Sequence, residues 1–398
     1  MTDNPGLPRA VALLFAIACG LAVANVYYAQ PLLETLAGEF GFSHASVGIV
    51  ITVTQIGYGL GLLLIVPLGD LLNRRRLIVG QSVVSALALT AVALAPTGTL
   101  MLAAIAVVGA LAVVTQILVA YAAISAHPSE RGRAVGMVTS GIVVGILLAR
   151  TVAGALSDLS GWRSVYFVSA LATLIIAGLL FKALPRHAAP SGQVSYAQLI
   201  GSMFTLFVEE PALRIRAVLA MLIFAAINIL LNSMALALAA PPYSLSLTAI
   251  GLFGLAGAAG ALGATRAGRL ADQGHAQRTT GLALAIMLLS WLPMALLPYS
   301  LWGLVIGVVL IDFGLQSVHV SSISLIGRLR PQAQSRLTAG YMIFYSIGCA
   351  LGAITSTMVY AQAGWIGVCL AGAATSLLAL LFWAATRHLM PGDSVNAQ

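Results

Sequence analysis

Along most of this chain the hydrophobic positions form unbroken runs of about twenty residues, separated by short polar stretches. The alternation of polar and apolar residues that the strands of a membrane barrel require is absent. A helix rises about 1.5 Å per residue, so about 20 apolar residues cross a hydrocarbon layer of about 30 Å. The pattern predicts twelve such helices, at 10–33, 45–68, 76–96, 100–125, 134–157, 164–184, 215–238, 247–267, 279–298, 301–326, 338–360 and 365–386.

Composition agrees with this pattern. Of 398 residues, 60% are hydrophobic and 8% charged, too few charges to coat a soluble domain of this size. Of 19 Lys and Arg residues, 17 fall at the two ends, in the loops after helices 2, 4, 6, 8 and 10 or within three residues of those loops, leaving Arg163 on the opposite side and Arg150 inside a run. The positive-inside rule then places both termini in the cytoplasm. The net charge of +8 therefore reports topology, and no nucleic-acid partner is expected. Residues 1–24 end in an A-x-A pattern, Ala22 and Ala24, but the first run is long and has a counterpart later in the chain, so it is read as a span. Cys19, Cys349 and Cys369 lie in three separate runs without pairing or metal spacing, so neither a metal nor a cofactor is expected.

The chain also repeats itself. Asp70 in "PLGDLLNRRR" matches Asp272 in "GRLADQGHAQR", Gln116 matches Gln316, Trp162 matches Trp365, Asn25 matches Asn228 and Gly145 matches Gly348, all at offsets of 200 to 203. Six helices separate each pair, an even number, so the halves run parallel about an axis along the membrane normal. The expected organisation is an N-terminal six-helix bundle (1–184), a linker (185–213) and a C-terminal six-helix bundle (214–398). The linker opens with Pro185, Pro190, Ser191 and Gly192, and its "YAQLIGSMFTLF" stretch suits a short amphipathic helix on the membrane surface.

This arrangement resembles the major facilitator superfamily over the whole chain. The resemblance is most specific in the loop after helix 2, usually G-x-x-x-D-x-x-G-R-R, where Asp70, Arg74 and Arg75 fit and Val66 and Asn73 replace glycines. Its second copy keeps Gly268 and Asp272 and ends less regularly, with Gly274 and Arg278. The loops "SERGRAVG" and "GWRSVYF" resemble those of drug and sugar efflux members. The glycine-rich exporter motif of helix 5 is matched by "GIVVGILLARTVAG", except that Arg150 stands where its proline is expected. The resemblance implies an all-α membrane transporter working by alternating access.

A carboxylate at a helix end beside guanidinium groups forms charge-assisted hydrogen bonds that hold in one arrangement of the helices. Asp70, Arg74, Arg75 and the second-half copy Asp272 are therefore read as a cytoplasmic gate; Arg74 to Arg76 alone would also serve as topology anchors.

Charges inside the runs carry the substrate chemistry, because one at the bilayer centre costs at least about 2.5–3.5 kcal/mol. Arg150 and Asp312 qualify. Gln316 and His319 follow Asp312 at i+4 and i+7 on the same helical face, so Asp312, Gln316 and His319 are candidates for proton coupling or for a structural hydrogen bond. In helix 1, "ANVYYAQPLL" carries Asn25, Tyr27, Tyr28 and Gln30 before Pro31, whose missing N–H leaves the Tyr27 carbonyl without its helical partner. These four, with Gln55, Gln116, Arg150, Asn228 and Asn232, are the candidate substrate contacts; each neutral one is equally suited to bonding between helices. The row Gly141, Gly145, Ala149, Ala153 in helix 5 predicts a close helix crossing.

The expected function is secondary active transport of a small molecule, with proton-coupled efflux of a drug, sugar or metabolite ahead of uptake by symport or uniport. No G-x-x-x-x-G-K-[ST] loop is present to hold a nucleotide, and no H-E-x-x-H or G-x-S-x-G motif points to an enzyme. The expected partners are a small-molecule substrate, protons and the lipid bilayer, with the chain a monomer in the inner membrane of a bacterium.

Overall fold

The computed structural model describes residues 8–127, 130–184, 195–257, 276–330 and 333–390. Asp272, the gate candidate of the second half, and residues 185–194 of the linker lie outside the described residues. Among the described residues every regular element is a helix.

The helices are α1 (Arg9–Tyr27), α2 (Leu33–Phe40), α3 (Ile49–Leu64), α4 (Arg74–Leu94), α5 (Gly98–Leu111), α6 (Val114–Ser125), α7 (Arg131–Ser160), α8 (Trp162–Ala183), α9 (Tyr196–Glu209) and α10 (Pro211–Ala239). They continue with α11 (Leu247–Gly257), α12 (Ala276–Leu289), α13 (Trp291–Met294), α14 (Leu301–Leu329) and α15 (Gln334–Thr386). Among the described residues nine helical stretches are long and apolar enough to cross a membrane. Two of the runs expected to span fall outside that number because α11 is described only to Gly257 and α12 is 14 residues long. A third is merged into α15, which is broken at Gly364.

Local chemistry sets the breaks. Pro31 stops α1 at Tyr27, so the first apolar run is a helix and a turn, after which the short helix α2 follows. Asn73 caps α4 by accepting from the Arg76 N–H at 3.1 Å, and Ser300 caps α14 by accepting from the Trp302 N–H at 3.2 Å. Gly161 and Gly364 sit at φ +80° and +61°, a backbone region that penalises any side chain. Each is followed by a buried tryptophan, Trp162 or Trp365, which explains why the Gly-Trp pair recurs in both halves of the sequence.

Large apolar side chains lie on the outside, among them Leu87, Leu171, Leu282 and Leu370, each more than 60% exposed. A surface of this kind is stable against hydrocarbon and not against water.

By contacts the chain divides into two units, Met1–Leu32 with Val53–Ile200, and Leu33–Thr52 with Gly201–Gln398. The first is built around Phe15, Cys19, Ile78, Leu118, Tyr121 and Val138, contributed by α1, α4, α6 and α7. A close crossing in it is α1 on α7: a methyl group on Gly141 would overlap the Ala16 carbonyl, and one on Gly145 the Gly20 carbonyl. The small-residue row expected in helix 5 is thus a backbone-to-backbone contact.

The second unit centres on α10, which is buried nearly all round. Here α15 makes the matching approach, with Gly348 against the Met221 carbonyl and Gly352 against that of Ala225. The segment Leu33–Thr52 packs in this unit, with Gly48 against the Ala353 carbonyl, Thr52 Oγ1 donating to the Ala350 carbonyl at 3.0 Å and Thr357 Oγ1 donating to that of Ala45 at 3.1 Å. The "YAQLIGSMFTLF" stretch is helical, as its pattern predicts, forming most of α9 with Met203 and Leu206 buried. Arg330 is held near the α9–α10 junction by Glu209 and Glu210, at 2.9 and 2.6 Å.

Candidate functional site

In the first unit the polar residues of α1 and the turn after it converge on α7 and α8. Helix α1 ends early because of Pro31, and the Tyr27 carbonyl, expected to lack its helical partner, accepts instead from the Gln30 N–H at 3.2 Å. The tightened turn presents Gln30 to α7, where the Arg150 Nε donates to Gln30 Oε1 at 2.7 Å. The Arg150 guanidinium carbon also lies 5.3 Å from the centre of the Tyr27 ring, within cation–π range. Arg150 is 9% exposed, so the amide and the ring replace much of the water that a guanidinium needs. The close α1–α7 crossing at Gly141 and Gly145 brings these groups into reach.

One turn earlier, the Ser169 hydroxyl of α8 donates to Asn25 Oδ1 at 2.5 Å and is also hydrogen-bonded to Tyr28. Helix α1 and its turn thus carry two buried polar groups in an apolar bundle, Tyr27 and Gln30 with Arg150, and Asn25 and Tyr28 with Ser169. Gln116 reaches Tyr58 at a long 3.5 Å, and Gln55 is buried in α3.

The proton-coupling candidates lie in the second unit, all three half-buried on α14. The Asp312 carboxylate rests directly on the backbone of α11, where a methyl group on Gly257 would overlap its Oδ2. His319 is not joined to it: His319 Nδ1 is 2.9 Å from the Tyr341 hydroxyl, and its ring packs edge-on against Phe224. The three residues share one face of α14, but Asp312 and His319 meet different neighbours. Asn228 and Asn232 turn their amide N–H groups back onto their own helix, to the Phe224 and Asn228 carbonyls at 2.9 and 2.8 Å. That geometry favours the structural role for both.

The gate candidates are locally paired. Arg74 reaches Asp70 at 3.4 Å, one turn away, and its Nε donates to the Gly69 carbonyl at 2.9 Å. Arg75 leaves Asp70 for α8, where it donates to the Phe181 carbonyl at 2.5 Å and stacks on the Phe181 ring. The Asp70 side chain is 56% exposed, so the pair is weak, about 0–1 kcal/mol.

Arg216 is a buried cation that the sequence reading assigned to the loop side. It is fully buried in α10 and donates to Thr280 Oγ1 at 2.9 Å. A signal was available in its spacing from Arg214: residues two apart point to opposite sides of a helix, so one of the two must face inward. Arg214 is exposed and Arg216 buried.

A sequence profile described as the Major Facilitator Superfamily matches residues 14–328. The uncharacterized transporter YgaY of Escherichia coli O157:H7 is 46% identical over 380 residues, covering 96% of each chain. Among solved structures, a bacterial homolog of the human lysosomal transporter Spinster, inward-facing and unoccupied, superposes with a TM-score of 0.75 at 16% identity, covering 97% of this chain and 96% of that one. The nucleoside transporter NupG, in a mutant form, gives 0.72 at 18% identity, covering 94% and 99%. With a family profile over most of its length and a relative of this similarity, the chain belongs to the major facilitator superfamily of membrane transporters.

Proposed function

We propose that this protein is a proton-coupled exporter of a small organic molecule, of the drug:proton antiporter and sugar-efflux kind. Twelve helices in two parallel-related bundles, divided at 185–213, work by alternating access in the inner membrane of a bacterium, with both termini cytoplasmic. The recurrence of sequence markers at offsets of 200 to 203 and the distribution of Lys and Arg support that arrangement. The observation that carries the site assignment is Arg150, a cation enclosed in an apolar bundle by Gln30 and Tyr27. Its guanidinium, with Tyr28 and Asn25, offers an anionic or amphipathic substrate a charge, a ring and an amide.

Asp312 is the proton carrier in this reading, the acid that lies within an apolar helix beside a bare stretch of backbone at Gly257. Proton and substrate then weaken each other's binding by the same factor, which is the thermodynamic content of antiport.

The test uses protein reconstituted in vesicles and a compound found by ligand-induced thermal shift. Asp312→Asn should lower accumulation driven by an imposed pH gradient at least ten-fold, while downhill exchange continues. Accumulation at the wild-type level by the Asn variant would remove Asp312 from coupling. Accumulation in the direction of proton flow would make the protein a symporter.

A further inference from the structure

The first unit contains a cavity lined by α1, α4, α5, α6 and α8, which shares Asn25 with the site described above but not Arg150. Asn25, Gln81, Ser82, Ser85 and Thr173 contribute its polar lining, and Leu118 and Ile176 are among its apolar walls. Gln81 is 5% exposed, and neither its amide oxygen nor its amide nitrogen has a hydrogen-bond partner among the described residues. The Thr173 hydroxyl, 7% exposed, is in the same condition. Asn25 gives its oxygen to Ser169, which leaves its N–H groups on the cavity side of the network. An amide with both ends buried and unpaired is rare in a stable fold.

The space is of a definite size. It leaves about 20 Å³ for the centre of a water-sized sphere, against the roughly 10–15 Å³ that one water needs and the several hundred cubic ångströms of an organic ligand site.

The repeat supplies an internal control. Thr173 corresponds to Ser376 at the 203-residue offset of Gly145 and Gly348. In the second unit the Ser376 hydroxyl accepts from the Trp291 indole N–H at 3.0 Å, and the Trp291 ring packs against Gly372. A protein side chain satisfies this hydroxyl in one half; in the other the same position opens on the cavity.

We propose that the cavity is a hydration site in which one water, held by Gln81, Thr173 and Asn25, joins α4, α8 and α1. The water accepts from the Asn25 and Gln81 N–H groups and donates to Gln81 Oε1 and Thr173 Oγ1, a full set of partners for one molecule. It completes the hydrogen bonding of Asn25, and it stands whether or not the transport reading above is correct.

The experiment combines a high-resolution structure of the full chain with two variants and a salt comparison. Density for a water within hydrogen-bond distance of Gln81 and Thr173 is expected, and an empty cavity would overturn the proposal. Gln81→Leu should lower the midpoint of thermal unfolding, because it strands Thr173 and Asn25 around the displaced water. Gln81→Leu combined with Thr173→Val should recover part of that loss. A Gln81→Leu midpoint above the wild-type value would mean a dry cavity and a simple packing defect. Stabilisation by sodium chloride over choline chloride that disappears in the double variant would make the occupant a cation and overturn the water.

Discussion

The two units carry the same packing device and different chemistry. In the first, Gly145 of α7 lies on the carbonyl of Gly20 in α1; in the second, Gly348, its counterpart in sequence, lies on the carbonyl of Met221 in α10. The two charges assigned to substrate and proton, by contrast, have alanines in the other half. At the offset of Gly145 and Gly348, Arg150 corresponds to Ala353; at the offset of Gln116 and Gln316, Asp312 corresponds to Ala112. Small-residue crossings have no substitute, because only Gly, Ala or Ser lets two backbones approach so closely. A buried charge is costly unless something uses it or compensates it, so one copy suffices. The comparison therefore separates residues that hold the helices together, which both halves need, from residues that act on a ligand or a proton, which one half can supply.

The largest effect should come from breaking what the halves share. Gly145→Leu and Gly348→Leu each drive a side chain into backbone that cannot move aside, costing about 3 kcal/mol or more. Both variants should lose monodisperse protein on size-exclusion chromatography. If one is tolerated, the crossings are not equivalent.

The buried arginines sharpen the contrast next. Arg150→Gln removes the guanidinium offered to the substrate, and a hydrogen bond to a charged group is worth about 1.5–3 kcal/mol, so substrate binding should weaken roughly ten- to a hundred-fold, with a smaller fall in thermal stability from the lost bond to Gln30. Arg216→Gln should do the reverse, lowering the unfolding midpoint and leaving affinity nearly intact, since Arg216 is fully buried against Thr280. Equal effects on binding would mean that both cations face the ligand. At Gly257, Ala adds a methyl group where the Asp312 carboxylate lies, and it should reduce pH-driven accumulation several-fold without lowering yield. An unchanged coupling ratio would show that the position of the carboxylate is unimportant.

The smallest effect is expected at Asp70. Its exposure and the 3.4 Å distance to Arg74 put Asp70→Asn within about 1 kcal/mol in stability. Transport should fall no more than about five-fold. A total loss would mean that Asp70 gains partners in another conformation, as a gate requires.

Much of this was legible from the residues alone. Arg150 and Asp312 stood out because a charge within an apolar run is exceptional, and the Gly141–Gly145 row because its spacing is that of one helix face. Gly161 with Trp162 and Gly364 with Trp365 could be matched as markers, although the positive φ that requires the glycines is a property of the folded backbone. Arg216 was hidden by its place next to a loop, where basic residues normally anchor topology. The stripe of Asp312, Gln316 and His319 was read correctly as one helix face, but not the neighbours that each meets.

The sequence by itself determined the class of this protein: long apolar runs can only be membrane helices, since a backbone in lipid must satisfy its own hydrogen bonds. It also determined the repeat and the positions of the charges, which are properties of order along the chain. Only the tertiary structure decided that Arg150 bonds Gln30, that His319 bonds Tyr341 and not Asp312, and that Gln81 and Thr173 line one cavity. Gln30 and Arg150 are 120 residues apart, and Gln81 and Thr173 are nearly as distant. Periodicity places a side chain on a face of its own helix; what that face meets depends on how separate helices pack, and hydrogen bonds act only over about 3 Å.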